Sequence, residues 1–143
     1  MALVKEERAY EKYAWTLLFV LGIFYAVIVG PIHIILGYIG AGGGPLPAST
    51  PAVAINEANS LAQSLGLFIL FDGIVVAGIA WTGFRKHQRW AWYFMLWFLA
   101  LLMADLVLAG GLDPPALVGI ALSVLGLLLP FRKFFPEKQA TTA

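Results

Sequence analysis

Three ionisable side chains stand where hydrocarbon would be expected to surround them: His33, Asp72 and Asp105. Charged groups inside a bilayer are costly, and those that persist usually face a bundle interior and mark a function or a specific contact. Asp72 sits in "LFILFDGIVVAG", Leu67 to Gly78, with no basic residue near it in sequence. Counting 1.5 Å per helical residue places it ~16 Å below the outer boundary, near the midplane, and places His33 and Asp105 together at ~6–9 Å. A His33–Asp105 pair on parallel first and third helices would let each charge favour the other. The competing reading is that His33 bonds a carbonyl beside the Gly30–Pro31 kink, where proline leaves the carbonyl of Val27 without its helical partner. For Asp72, burial without a cation disfavours the charged form, so a neutral, hydrogen-bonded carboxyl is expected.

Further polar residues, Asn56, Glu57, Asn59 and Gln63, lie toward the outer mouth. At 100° per residue Asn56, Asn59, Ser60 and Gln63 share a face roughly opposite that of Asp72, which carries Leu61, Leu65, Phe68 and Ile79. Between the two runs a line of small residues, Ala62, Gly66, Gly73 and Ala77, suits close helix approach. His33, Asp72, Asp105 and Glu57 offer N and O donors, but their spacing specifies no metal, and neither a metal nor a cofactor is expected. "GAGGG" joins no strand to a helix and has no following lysine, so it is not read as a phosphate loop. Cysteine is absent, which excludes disulfides, thiol chemistry and Cys-ligated metals.

The elements that must position these residues are membrane helices. Of 143 residues, 61% are hydrophobic and 12% charged, with mean hydropathy +0.86. Such a balance lies outside that of soluble domains. Spanning ~30 Å needs about 20 apolar residues, and the apolar runs lie at about 15–39, 61–81, 90–109 and 115–131, the last of them short. The expected fold is all-α, an integral membrane four-helix up-down bundle forming one domain, with an outer loop at 40–60 and a tail at 132–143. The second helix has an alternative start at "STPAVA", where Ser49 or Thr50 would cap and Pro51 would open the first turn. "DPP" at 113–115 offers the fourth helix a similar start, with Asp113 as cap.

All nine basic residues flank one side: Lys5, Arg8 and Lys12; Arg85, Lys86 and Arg89; Arg132, Lys133 and Lys138. The positive-inside rule then makes both termini cytoplasmic in a multi-pass protein of the plasma (inner) membrane. Nine aromatics, including Trp15, Trp81, Phe84, Trp90, Trp92, Phe131, Phe134 and Phe135, gather at the same boundary, and only Tyr38 marks the other. "RKHQRWAW" is read as an interfacial turn, with Arg85, Lys86, Arg89, Trp90 and Trp92 as anchors drawn to anionic headgroups. The bilayer, a homo-oligomer or a larger membrane complex are the expected partners, and nucleic acid is not.

At "FRKHQRWAW" the chain resembles small prokaryotic four-helix membrane protein families of uncharacterised function, whose second and third helices are joined by a basic turn ending in Arg-Trp-Ala-Trp. That resemblance implies a prokaryotic plasma-membrane protein. Asp72 and Asp105 among Phe68, Phe71, Trp97 and Phe98 also look similar in kind to the sterol-isomerase and sigma-2-receptor-like fold, which holds lipophilic amines or sterols. Two functions follow as expectations. One is a non-enzymatic accessory or lipid-interacting component. The other is a proton- or cation-linked binding or transport protein, or an enzyme for a lipophilic ligand that uses the same carboxylates. Absence of a recognisable catalytic constellation favours the first.

Overall fold

A computed structural model describes residues 9–40, 42, 47–108 and 114–136. Lys5, Arg8 and Lys138, the glycines at 43–44, the 110–113 turn and the proposed Asp113 cap lie outside the described residues. Within them every regular element is helical: α1 Ala9–Phe24, a π turn Tyr25–Val29, α2 Gly30–Tyr38, α3 Ala52–Ile79, a second π turn Ala80–Phe84, α4 Arg89–Leu108, α5 Pro114–Leu128 and α6 Phe131–Phe134. Three stretches are long and apolar enough to cross a membrane: Tyr13–Tyr38, Ala52–Phe84 and Arg89–Val107. The protein is therefore an all-helical membrane protein by length and composition. The fourth apolar helix, α5, has 15 residues, or ~22 Å, short of a full hydrocarbon core.

Two features of the helices differ from the sequence reading for local reasons. At Gly30–Pro31 the chain does not simply kink. Pro31 lacks an N–H and its ring crowds the carbonyl four residues back, and the preceding turn widens to π register, with the Gly30 N–H donating to Tyr25 five residues back. Pro31 then opens α2, where its missing donor costs nothing. The second helix starts at Ala52 rather than near 61, following Pro51, whose carbonyl accepts the Ile55 N–H at 3.2 Å. That alternative start lengthens the helix by nine residues.

The chain divides into two compact units, Leu21–Ala77 and Met1–Val20 with Gly78–Ala143. In the first, α3 lies antiparallel to the end of α1, the π turn and α2. The seam is built on reciprocal glycines. A Cβ placed on Gly22 would stand 2.7 Å from the Gly73 carbonyl oxygen, and one on Gly73 2.6 Å from that of Gly22. Gly30 and Gly66 repeat the relation at 2.9 and 2.7 Å, and Gly37 meets the Asn59 carbonyl and the Gln63 stem. Backbones approach so closely only where no side chain intervenes, which gains dispersion and Cα–H···O contacts where lipid supplies no hydrophobic drive. The small-residue line Ala62, Gly66, Gly73 and Ala77 is buried in this seam.

The second unit packs α4 against α5 and α6. Leu18, Phe84, Met95, Leu127 and Phe134 form its buried core, and Leu18 fills the notch left by Gly126. The sequence pattern places Phe84 and Phe134 among the interfacial aromatics; in the structure their rings meet at 4.6 Å and are almost wholly enclosed. The turn between α3 and α4 closes on the Gly83 carbonyl, which accepts N–H groups from Lys86 and Gln88, while His87 takes a left-handed conformation at φ 55°.

Candidate functional site

Both intramembrane acids stand on exposed stripes. On α3, Asp72 is exposed one residue from the buried Gly73, beside Leu65, Phe68 and Phe71. Phe68 and Phe71 are themselves 67% and 64% exposed, so the carboxyl sits in an outward apolar surface and not in the glycine seam. Geometry explains why: at 100° per residue, seating Gly66, Gly73 and Ala77 inward turns Leu61, Leu65, Phe68 and Asp72 outward together. On α4, Trp97, Leu101 and Asp105 repeat at intervals of four and are likewise exposed.

The remaining polar residues are engaged locally. His33 is half-buried, and its Nδ1 lies 2.9 Å from the Val29 carbonyl oxygen, to which the ring N–H donates. This bond closes on the last residue of the π turn rather than on Val27. It belongs to the Leu21–Ala77 unit, whereas Asp105 belongs to the other. Asn59 accepts the Gly42 N–H at 3.0 Å and so ties the chain just after α2 to α3. Gln63 is half-buried with its stem against Gly37, and Glu57 and Asn56 are exposed. Among the described residues no three His, Asp or Glu side chains gather as a metal centre requires.

The basic turn is more organised than an anchoring role demands. Arg85 holds its guanidinium 4.7 Å above the Trp81 ring and 5.3 Å from that of Trp15, and the two indoles meet edge to face at 5.4 Å. Beside it a cavity of about 460 Å³ opens between Trp81, Thr82, Arg85 and Lys86. Arg89 donates from Nε to the Phe134 carbonyl at 3.0 Å and lies over Phe135, while Trp92 donates to the Leu127 carbonyl at 3.2 Å. Arg89 and Trp92 therefore close the ends of α5 and α6, whose last carbonyls have no helical donors. Trp90 is exposed and bonds Gln88. His87 rests its ring 5.6 Å from Phe134, and burial there holds its pKa below the ordinary imidazole value.

Sequence reasoning did not find the Trp15–Arg85–Trp81 arrangement or the packing of "PFRKFF" onto α4. For the second, aromatics at 131, 134 and 135 after Pro130 are a one-turn apolar face, and that spacing was the available signal. Comparisons with protein-family models, with curated proteins and with solved structures each find no match. The functional reading therefore rests on the residues themselves.

Proposed function

We propose that the chain is a non-enzymatic accessory component of a prokaryotic plasma membrane, a four-helix protein with both termini cytoplasmic that packs laterally against a helix of a larger membrane complex. The observation that carries this reading is the outward position of Asp72 among Leu65, Phe68 and Phe71. A carboxyl at that depth facing lipid costs about 2.5–3.5 kcal/mol on insertion scales. A neighbouring helix that offers a hydrogen-bond donor or a cation removes most of that cost, and lipid tails offer neither. A carrier or a lipophilic-ligand enzyme needs its acids to converge on an enclosed space. His33 bonded within its own helix, and acids set on exposed stripes, favour the accessory reading over that one.

The test is a photo-reactive residue at Leu65 or Phe68, in growing cells, compared across wild type, Asp72→Asn and Asp72→Leu. Wild type and the asparagine variant should cross-link to a membrane polypeptide. The leucine variant should lose that product while the purified protein keeps its thermal stability in detergent. An unchanged cross-link in Asp72→Leu, or collapse of the purified variant, refutes the proposal.

A further inference from the structure

We propose that the cavity between Trp81, Thr82, Arg85 and Lys86 is a binding site for a phosphate ester carrying a hydroxyl or ammonium substituent, of the kind found in phospholipid headgroups. This goes beyond lateral packing through Asp72 and requires only that α3 crosses the bilayer. The cavity lies at residues 81–86, across the end of the apolar stretch Ala52–Phe84, which is the level of headgroup phosphates.

Its chemistry is asymmetric in an informative way. The guanidinium carbon of Arg85 lies 4.7 and 5.3 Å from the ring centroids of Trp81 and Trp15, which stand 5.4 Å from each other and so on one side of it, leaving its other side for an oxyanion. A planar fork held against two indoles matches two phosphate oxygens at once, which a loose surface arginine does only at a cost in side-chain entropy. Lys86 adds a point charge on the same side. Both cations line the cavity because of how the helix ends: the Arg85 N–H bonds Ala80 five residues back at 2.9 Å, and the Lys86 N–H then turns back to Gly83 at 3.2 Å. In α register Lys86 would point about 140° away from Trp81. Thr82 supplies the third contact. Its hydroxyl donates to the Gly78 carbonyl at 2.7 Å, so toward the cavity its oxygen acts as an acceptor. Such an acceptor suits a glycerol hydroxyl or an ethanolamine ammonium, and has nothing to take from a choline.

The site is tested by native mass spectrometry of the full chain in neutral detergent with chain-matched phosphatidylglycerol or phosphatidylcholine. Inorganic phosphate and glycerol phosphate are titrated separately without lipid. Wild type should retain one phosphatidylglycerol under conditions that strip phosphatidylcholine. Arg85→Gln and Arg85→Lys should each weaken retention, the first by tenfold or more. Thr82→Val, close in shape, should erase the preference between headgroups while leaving the fold intact. Arg132→Gln, which removes an exposed cation of α6, should change nothing. Glycerol phosphate binding with the same Arg85 dependence as the lipid would make the source a soluble ester, and its failure to bind would make the source the membrane. Equal losses in Arg85→Gln and Arg132→Gln would mean diffuse charge attraction and overturn the site, as would an unaltered headgroup preference in Thr82→Val.

Discussion

Replacing the seam glycines by alanine should separate the Leu21–Ala77 helices by a measurable amount, and the magnitude can be worked from the contacts. A new Cβ at Gly22, Gly30, Gly66 or Gly73 would meet its nearest backbone atom at 2.4–2.8 Å, against 3.4 Å for an ordinary contact. Neither backbone can rotate away as a flexible side chain would, so each site must open by roughly 0.6–1.0 Å, enough to forfeit a quarter or more of the facing dispersion energy. Overpacking of this kind costs about 1–3 kcal/mol, and alanine's better helix propensity returns about 1 kcal/mol of it. Gly78 is the internal control, since a Cβ there meets nothing within 4 Å, and Gly78→Ala should stabilise by about 0.5–1 kcal/mol. Thermal unfolding in detergent, followed by loss of monodisperse elution, should therefore place the four seam variants below wild type and Gly78→Ala above it. Reciprocity adds a sharper test. Once Gly22→Ala has moved the helices apart, Gly73→Ala finds the space already open, so the double variant should cost less than the two single costs together. Gly22→Ala with Gly66→Ala, whose partners are different, should come closer to additive. Seam variants as stable as Gly78→Ala, or strict additivity in the 22/73 pair, would refute the geometry.

Two further outcomes follow from the second unit. Burial disfavours the His87 imidazolium, so as pH falls the unfolded chain takes up that proton first; His87's contribution is complete above the ordinary value of about 6.5 and is lost below it. Thermal stability should decline between pH 7.5 and 5.5, less so in His87→Gln, and an equal decline in both would remove His87 from the effect. Trp92→Phe keeps an aromatic ring beside Phe131 and Phe135 but deletes the donor to the Leu127 carbonyl, and should cost about 1 kcal/mol in the same unfolding assay.

The sequence shows the apolar runs plainly, because about 20 uninterrupted apolar residues need a bilayer. It also shows the small-residue line on α3, because glycine and alanine at intervals of seven and four have few other uses in a membrane helix. What the matching glycines 22, 30 and 37 do is harder to read: apolar residues surround them on every side, and a helix apolar all round carries no periodic mark of its inner face. The angular grouping of Leu61, Leu65, Phe68 and Asp72 follows from helix geometry alone. That this group faces away from α2 depends on where Gly66 and Gly73 seat, which is a property of two helices together. The π turns escape sequence reading for a related reason. A Gly-Pro pair signals an interrupted helix, but the choice between a bend and a widened turn depends on which alternative keeps Gly22 and Gly30 on one seam.

This arrangement bears on why the acids stand outside. In hydrocarbon a hairpin gains nothing from burying leucine against leucine, so α3 spends its small residues on backbone contact and has bulky ones left for the opposite face. An aspartate in the seam would hold the two backbones apart and forfeit the reciprocal glycine contacts; on the opposite face it leaves the hairpin unaffected and carries its cost in the unassembled protein. In the lateral packing proposed above, a partner relieves that cost on binding, so Asp72 makes the free protein less favourable in lipid without making it less folded. Asp105, exposed beside Trp97 and Leu101, repeats the combination on α4. An acid that destabilises only the unassembled state discriminates between partners, because an apolar neighbour leaves its cost in place while one bearing a donor or a cation removes it.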